Sequence, residues 1–89
     1  MISDETLHKI SKGISHNKYL KHLILRDNSI TNSTMVELID SLIQNETIIR
    51  FDLDRNNIHQ RFMERIQVII NRNIELNKHE KVPSMKDEI

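Results

Sequence analysis

Residues 20–30 read LKHLILRDNSI, and residues 48–58 read IIRFDLDRNNI. In both stretches a large apolar residue stands at the first, fourth, sixth and eleventh positions, and asparagine stands at the ninth. Equivalent residues therefore lie 28 positions apart, as Asn28 and Asn56 do. A fixed period of this length predicts that the chain builds one local structure twice and packs the two copies side by side.

Each stretch alternates apolar and polar side chains in the manner of a short β-strand. Leu23 and Leu25 in the first stretch, and Phe51 and Leu53 in the second, fall on one face because side chains alternate across a strand. We predict strands at about residues 22–26 and 50–54, with these four side chains inward. A strand this short needs a paired neighbour, which the other copy supplies. The outward positions are His22, Ile24, Arg26, Arg50, Asp52 and Asp54.

The two stretches follow the pattern L-x-x-L-x-L-x-x-N-x-L, with Phe51 in place of one leucine, and they resemble the leucine-rich-repeat family in this respect. The 28-residue period is most similar to the ribonuclease-inhibitor-like subtype, in which each repeat contains a full helix. The resemblance implies that Asn28 and Asn56 form a ladder of hydrogen-bonded asparagines beneath the strands. It also implies that the chain is a C-terminal or capping piece of an array.

Apolar residues at helical spacing predict three helices, at about residues 4–17, 32–45 and 60–77. With strands between the helices, the predicted class is α/β. The resemblance further implies a short leucine-rich-repeat solenoid, with two parallel strands and three convex-side helices. Asn17 and Asn45 also lie one period apart, where the first two helices should end. We predict that residues 1–78 form this unit, including a C-terminal helical cap, and that residues 79–89 form a polar tail.

The outward strand positions are the candidate site for a protein partner, because repeat proteins bind through their strand face. Ile24 is the one apolar residue among the six, so it is the expected anchor of such a contact. At the 28-residue offset, Arg26 lies opposite Asp54 as a pair of opposite charge. Two interpretations stay open on the sequence alone: a partner-binding face, or a solvated face that carries a local salt bridge.

The composition argues against several other classes of function. The chain has 13 basic and 13 acidic residues, which gives no basis for a nucleic-acid or membrane partner. It has no cysteine and one glycine, so it has neither thiolate chemistry nor a glycine-rich phosphate loop. The segment Asp52-x-Asp54-x-Asn56 is not an EF-hand loop, because that loop requires glycine at its sixth position. We predict no catalytic activity, no metal and no cofactor.

The resemblance to the leucine-rich-repeat family implies a non-catalytic protein–protein interaction module or structural subunit of a larger assembly, for example a cytoskeletal or ciliary one. Its partners would be other protein subunits, bound through the repeat surface or the N-terminal edge. We do not expect a stable isolated monomer, because about three repeats are usually needed for a stable array. The start of the sequence lacks the features of a secretory signal, which predicts a cytoplasmic location. The alternative function is a leucine-rich-repeat regulator that binds and inhibits an enzyme.

Overall fold

The structure is a computed structural model that describes the backbone of residues 1–81 and the side chains of residues 1–78. Helix α1 (Asp4–Ile14) is followed by strand β1 (His22–Ile24), and a short 3-10 helix (Asn32–Thr34) leads directly into helix α2 (Met35–Gln44). Strand β2 (Arg50–Asp52) and the long helix α3 (Gln60–Lys81) complete the described part of the chain.

The two strands form a parallel sheet whose register follows the sequence repeat. His22 pairs with Arg50 and Ile24 with Asp52, so each pair is one 28-residue period apart. The pairing continues past the strands, because the backbone N–H of Leu25 donates to the carbonyl of Asp52 over 2.7 Å. The strands end two residues earlier than predicted, and soon afterwards the chain turns through Asp27, whose φ is 60°.

The core lies between the sheet and the three helices. Leu25 and Leu53, both predicted to point inward, are 3% and 2% exposed. Their predicted inward neighbours Leu23 and Phe51 are half-buried against the same core. Each helix buries one apolar stripe against the strand layer, as amphipathic helices do. The helical core residues are Leu7, Ile14, Met35, Leu38, Ile39, Leu42, Ile66, Ile69 and Ile70.

The side chain of Arg72 in helix α3 makes hydrogen bonds to the end of helix α2. The guanidinium of Arg72 donates to three carbonyl oxygens: that of Leu42 over 3.3 Å, that of Ile43 over 2.9 Å and that of Asn45 over 2.5 Å. The last carbonyls of a helix lack partners within the helix and carry partial negative charge. Arg72 therefore satisfies the C-terminal end of α2 and fixes α3 alongside it.

The predicted fold class, an α/β leucine-rich-repeat solenoid, is wrong. The chain is a small and mostly helical unit, because it has helices of 11, 10 and 22 residues and only two strands, of three residues each, among the described residues. A solenoid buries a continuous core by stacking many repeats, whereas the described residues contain one pair of strands. The 28-residue repeat therefore corresponds to the pairing of β1 with β2 within this helical unit.

The helix boundaries also differ from the predicted ones. Helix α1 ends at Ile14 rather than at residue 17, and α2 begins as a 3-10 turn before Met35. Helix α3 continues past residue 77 to Lys81, so residues 79–81 of the predicted tail are helical. The remainder of that tail, residues 82–89, lies outside the described residues.

Candidate protein-interaction surface

The six predicted contact residues all lie on the two strands or directly after them, and we call them the outer sheet face. They are His22, Ile24, Arg26, Arg50, Asp52 and Asp54. Five of the side chains are exposed and Asp52 is half-buried. Ile24 is 46% exposed, whereas the following residue, Leu25, is in the core. The backbone alternation of the strand therefore presents an aliphatic side chain to solvent among charged ones.

Arg26 lies between two carboxylates on this face. Its Nε is 3.5 Å from Asp52 Oδ2, and its Nη2 is 3.8 Å from Asp54 Oδ2. The sequence offset predicted the Asp54 pairing, but Asp52 is the nearer carboxylate. Exposed pairs of this kind contribute little to stability. Among the described side chains, His22 and Arg50 have no polar partner, and they lie beside each other in the register next to Ile24.

Asn28 and Asn56 connect the turns that follow the strands. The Nδ2 of Asn56 donates to the carbonyls of Leu25 and Leu53, both over 2.9 Å, and its Oδ1 accepts from the N–H of Ile30. Asn28 Nδ2 likewise donates to the carbonyl of Leu25 over 2.9 Å, and Asn28 Oδ1 accepts from an N–H near the N-terminus. These amides satisfy backbone groups where the sheet pairing ends.

The turns that end the outer sheet face use two residues with left-handed backbone. Asp27 and Arg55, one period apart, have φ of 60° and 61°, a conformation that costs a non-glycine residue about 1–2 kcal/mol. Arg55 Nη1 lies 3.6 Å from Asp27 Oδ1, so the two turns are joined by an exposed ion pair. The next residue in each turn is the asparagine whose side chain closes it.

The sequence showed that Asn17 and Asn45 lie one period apart at the helix ends, but the burial and hydrogen bonds of this second set of asparagines were not predicted. Asn45 is 1% exposed, and its Nδ2 donates to the carbonyls of Ile14 and Asn17 over 3.0 and 3.1 Å. Its Oδ1 accepts from the N–H groups of Thr47 and Ile48 over 2.9 and 2.8 Å. Asn73, one period further on, is fully buried and donates to the carbonyl of Ile48. The 28-residue spacing of Asn17, Asn45 and Asn73 was the available signal.

Asp4 joins the start of α1 to the segment before α2. Its carboxylate accepts from the N–H of Thr31 over 3.0 Å and from the hydroxyls of Thr31 and Thr34 over 2.7 and 2.9 Å. Partial burial raises the pKa of Asp4, but hydrogen bonds from Thr31, Thr34 and Ser33 outweigh it and hold the pKa below its ordinary value of 3.8. The charged form of Asp4 is therefore the form that the fold favours.

The described residues contain no group of three histidine, cysteine or acidic side chains close enough to hold a metal ion. His8 Nδ1 lies 2.6 Å from Glu37 Oε2 on the surface, where α1 meets α2. For this pair to activate a nucleophile, a hydroxyl group would have to lie within hydrogen-bond distance of the imidazole. No such contact occurs in the part of the chain whose side chains are described. No helix within that part is long and apolar enough to cross a bilayer.

Comparisons with known proteins complete this description. No family model matches the sequence, and no curated protein matches it. The chain is similar to a solved structure of "Leiomodin-1 Actin-Binding Site 2 (ABS2)", with a TM-score of 0.65 and 15% sequence identity over 98% of this chain. The chain covers 66% of that structure's own length. At this identity the likeness shows a shared fold.

Proposed function

We propose that this chain is a non-catalytic protein-interaction module that binds actin through the outer sheet face. The observation that carries the proposal is the shared fold, over 98% of the chain, with a structure named as an actin-binding site. Because one fold can carry many functions, the proposal also requires that the outer sheet face has side chains suited to binding a protein. In this proposal the module works in the cytoplasm, as part of a cytoskeletal assembly.

The chemistry of the outer sheet face supports a protein contact. Ile24 supplies an exposed aliphatic side chain, and His22 and Arg50 supply polar groups without partners among the described side chains. The charge of Arg26 is already balanced by Asp52 and Asp54, so Arg26 offers less free charge to a partner than Arg50 does. An apolar centre with a polar rim is the usual arrangement of a protein interface.

The two edges of the sheet support a role inside a larger assembly. Among the described residues, β1 and β2 pair with each other and with no third strand. Leu23 on β1 and Phe51 on β2 are half-buried. Unpaired strand edges are sites where another chain can add, which is compatible with a subunit that is completed by its neighbours.

The test is direct binding of the chain to actin. Purified chain would be co-sedimented with actin filaments, and its binding to monomeric actin would be followed by fluorescence anisotropy. The variant Ile24→Ser should weaken binding by about tenfold, since buried aliphatic anchors carry much of an interface's energy. The matched control is Ile43→Ser on α2, because Ile43 is 47% exposed and Ile24 is 46% exposed.

The outcomes separate clearly. Loss of actin binding in Ile24→Ser together with unchanged binding in Ile43→Ser supports both the partner and the surface. Equal effects of the two substitutions would reject the outer sheet face. Absence of binding to both filaments and monomers would reject actin as the partner.

A further inference from the structure

Helices α2 and α3 form a groove that shares no residue with the outer sheet face. The groove is lined by Val36 from α2 and by Arg61, Phe62, Glu64, Arg65 and Val68 from α3. Val36 is 66% exposed and Val68 is 68% exposed, and the ring of Phe62 is half-buried between them and the core. Single exposed aliphatic side chains are ordinary. Here two of them and an aromatic ring line one concave surface.

The groove runs along the axis of α3. Arg61, Arg65 and Val68 are spaced i, i+4 and i+7, so they lie on one face of the helix over about two turns, roughly 10 Å. A shallow groove of this direction, bordered on one side by Val36 of α2, can accept one face of an amphipathic helix. It differs from the sheet edges, which offer backbone groups rather than an apolar floor.

The charge at the rim of the groove is positive. Arg61 and Arg65 are exposed, and neither forms an ion pair with any side chain of residues 1–78. The guanidinium carbon of Arg61 lies 5.0 Å from the centre of the Phe62 ring, a cation–π distance that holds this charge over the apolar floor. Glu64 is the one acidic residue of the lining. The two guanidinium groups therefore leave a surplus of positive charge beside an apolar surface.

We propose that this groove binds an acidic amphipathic helix of another protein. The apolar face of that helix packs against Val36, Phe62 and Val68, and its carboxylates pair with Arg61 and Arg65. A nucleic acid would satisfy the charges but not the aliphatic floor, which favours the protein partner. The site is separate from the proposed actin contact, so the module would join two proteins.

The probe for this proposal is a synthetic fluorescein-labelled peptide of about 14 residues, roughly 20 Å long as a helix. Leucines on one face and glutamates along its flanks give it the stated chemistry. Its binding to the full 89-residue chain is measured by fluorescence anisotropy. A second peptide, with lysine in place of each glutamate, tests whether the charge matters.

Variants on the chain locate the site. The double variant Arg61→Glu/Arg65→Glu should weaken binding of the glutamate peptide by at least about tenfold, since it reverses the charges that face the peptide. Arg50→Glu, an exposed charge reversal on the outer sheet face, should leave the affinity unchanged. In the unmodified protein, the methyl resonances of Val36 and Val68 should shift on addition of peptide while those of Ile24 should not.

The result expected is tighter binding of the glutamate peptide than of the lysine peptide, lost in the double variant and mapped to Val36 and Val68. Equal affinity for the two peptides would overturn the proposal, as would methyl shifts confined to the outer sheet face. Absence of binding of the glutamate peptide at about 1 mM would also overturn it. The methyl shifts are measured on the unmodified protein, so the proposal can be refuted even if the double variant does not fold.

Discussion

Asn45 provides the sharpest test of how this fold is held together. The substitution Asn45→Ala removes an amide that is 1% exposed and bonded to four backbone groups. Two of these groups, the carbonyl of Ile14 and the N–H of Ile48, are buried with the amide. The other two belong to Asn17 and Thr47, which lie nearer to solvent and can bind water instead.

The expected loss follows from the two buried groups. The N–H of Ile48 is left without a partner, which costs about 1–3 kcal/mol. The carbonyl of Ile14 keeps the N–H of Asn17 as a donor and loses one hydrogen bond worth about 0.5–1.5 kcal/mol, so Asn45→Ala should lower the free energy of unfolding by about 3 kcal/mol. For a domain of this size, 1 kcal/mol corresponds to about 4–8 °C in Tm. The melting temperature should therefore fall by about 12–24 °C.

The assay is urea unfolding followed by circular dichroism at 222 nm, a standard wavelength for helix, with thermal melts as a second measurement. The matched control is Asn57→Ala, since the side chain of Asn57 is exposed and makes no hydrogen bond with the described residues. That control should change the free energy of unfolding by less than about 0.5 kcal/mol. If the two variants unfold within about 0.5 kcal/mol of each other, the proposed role of the buried amide is wrong.

Four further substitutions, one of them a control, probe other parts of the structure. Leu25→Ala should lower the free energy of unfolding by about 2–5 kcal/mol because Leu25 is in the core. Ile24→Ala is the control and should leave the free energy of unfolding almost unchanged. If urea unfolding shows the larger loss for Ile24→Ala, the outward face of the strand is misassigned. Arg72→Met removes the donors at the end of α2 and should cost about 1–3 kcal/mol, measured in the same way; an unchanged midpoint would contradict that role. Because the folded-state pKa of Asp4 is lowered, its charged form adds stability above the unfolded value near 3.8, and this is lost as the pH falls through the folded value. Asp4→Asn should therefore be less stable than the parent chain at neutral pH, and the difference should shrink in acid; a difference that is constant across an acid titration would refute the assignment.

The repeated stretches predicted the local features of the strand region. The offset between Leu23 and Phe51 is the observed register, and alternation correctly placed Leu25 inward and Ile24 outward. These features are local because side-chain direction in a strand depends on position along the backbone alone. The same repeat suggested a solenoid, and that class was wrong because a short periodic motif does not determine how many strands and helices pack together.

The sequence also could not predict which carboxylate on the outer sheet face lies nearest to Arg26. The offset opposed Arg26 to Asp54, but the long arginine side chain reaches the neighbouring carboxylate of Asp52 more closely. Side chains of this length choose among several partners at similar distance, and the choice depends on the twist of the strands. Sequence spacing fixes which residues are opposite and leaves the actual ion pair undetermined.

The sequence by itself determined where the strands begin, which side chains of the strand stretches face the core and which asparagines recur. Those properties depend on periodicity, which is set residue by residue along the chain. The tertiary structure alone decided that Asn45 is buried with four partners, that Arg72 closes the end of α2, and that Val36 and Val68 line one groove. Each of these depends on the approach of segments more than 20 residues apart, which is set by helix packing and not by local pattern.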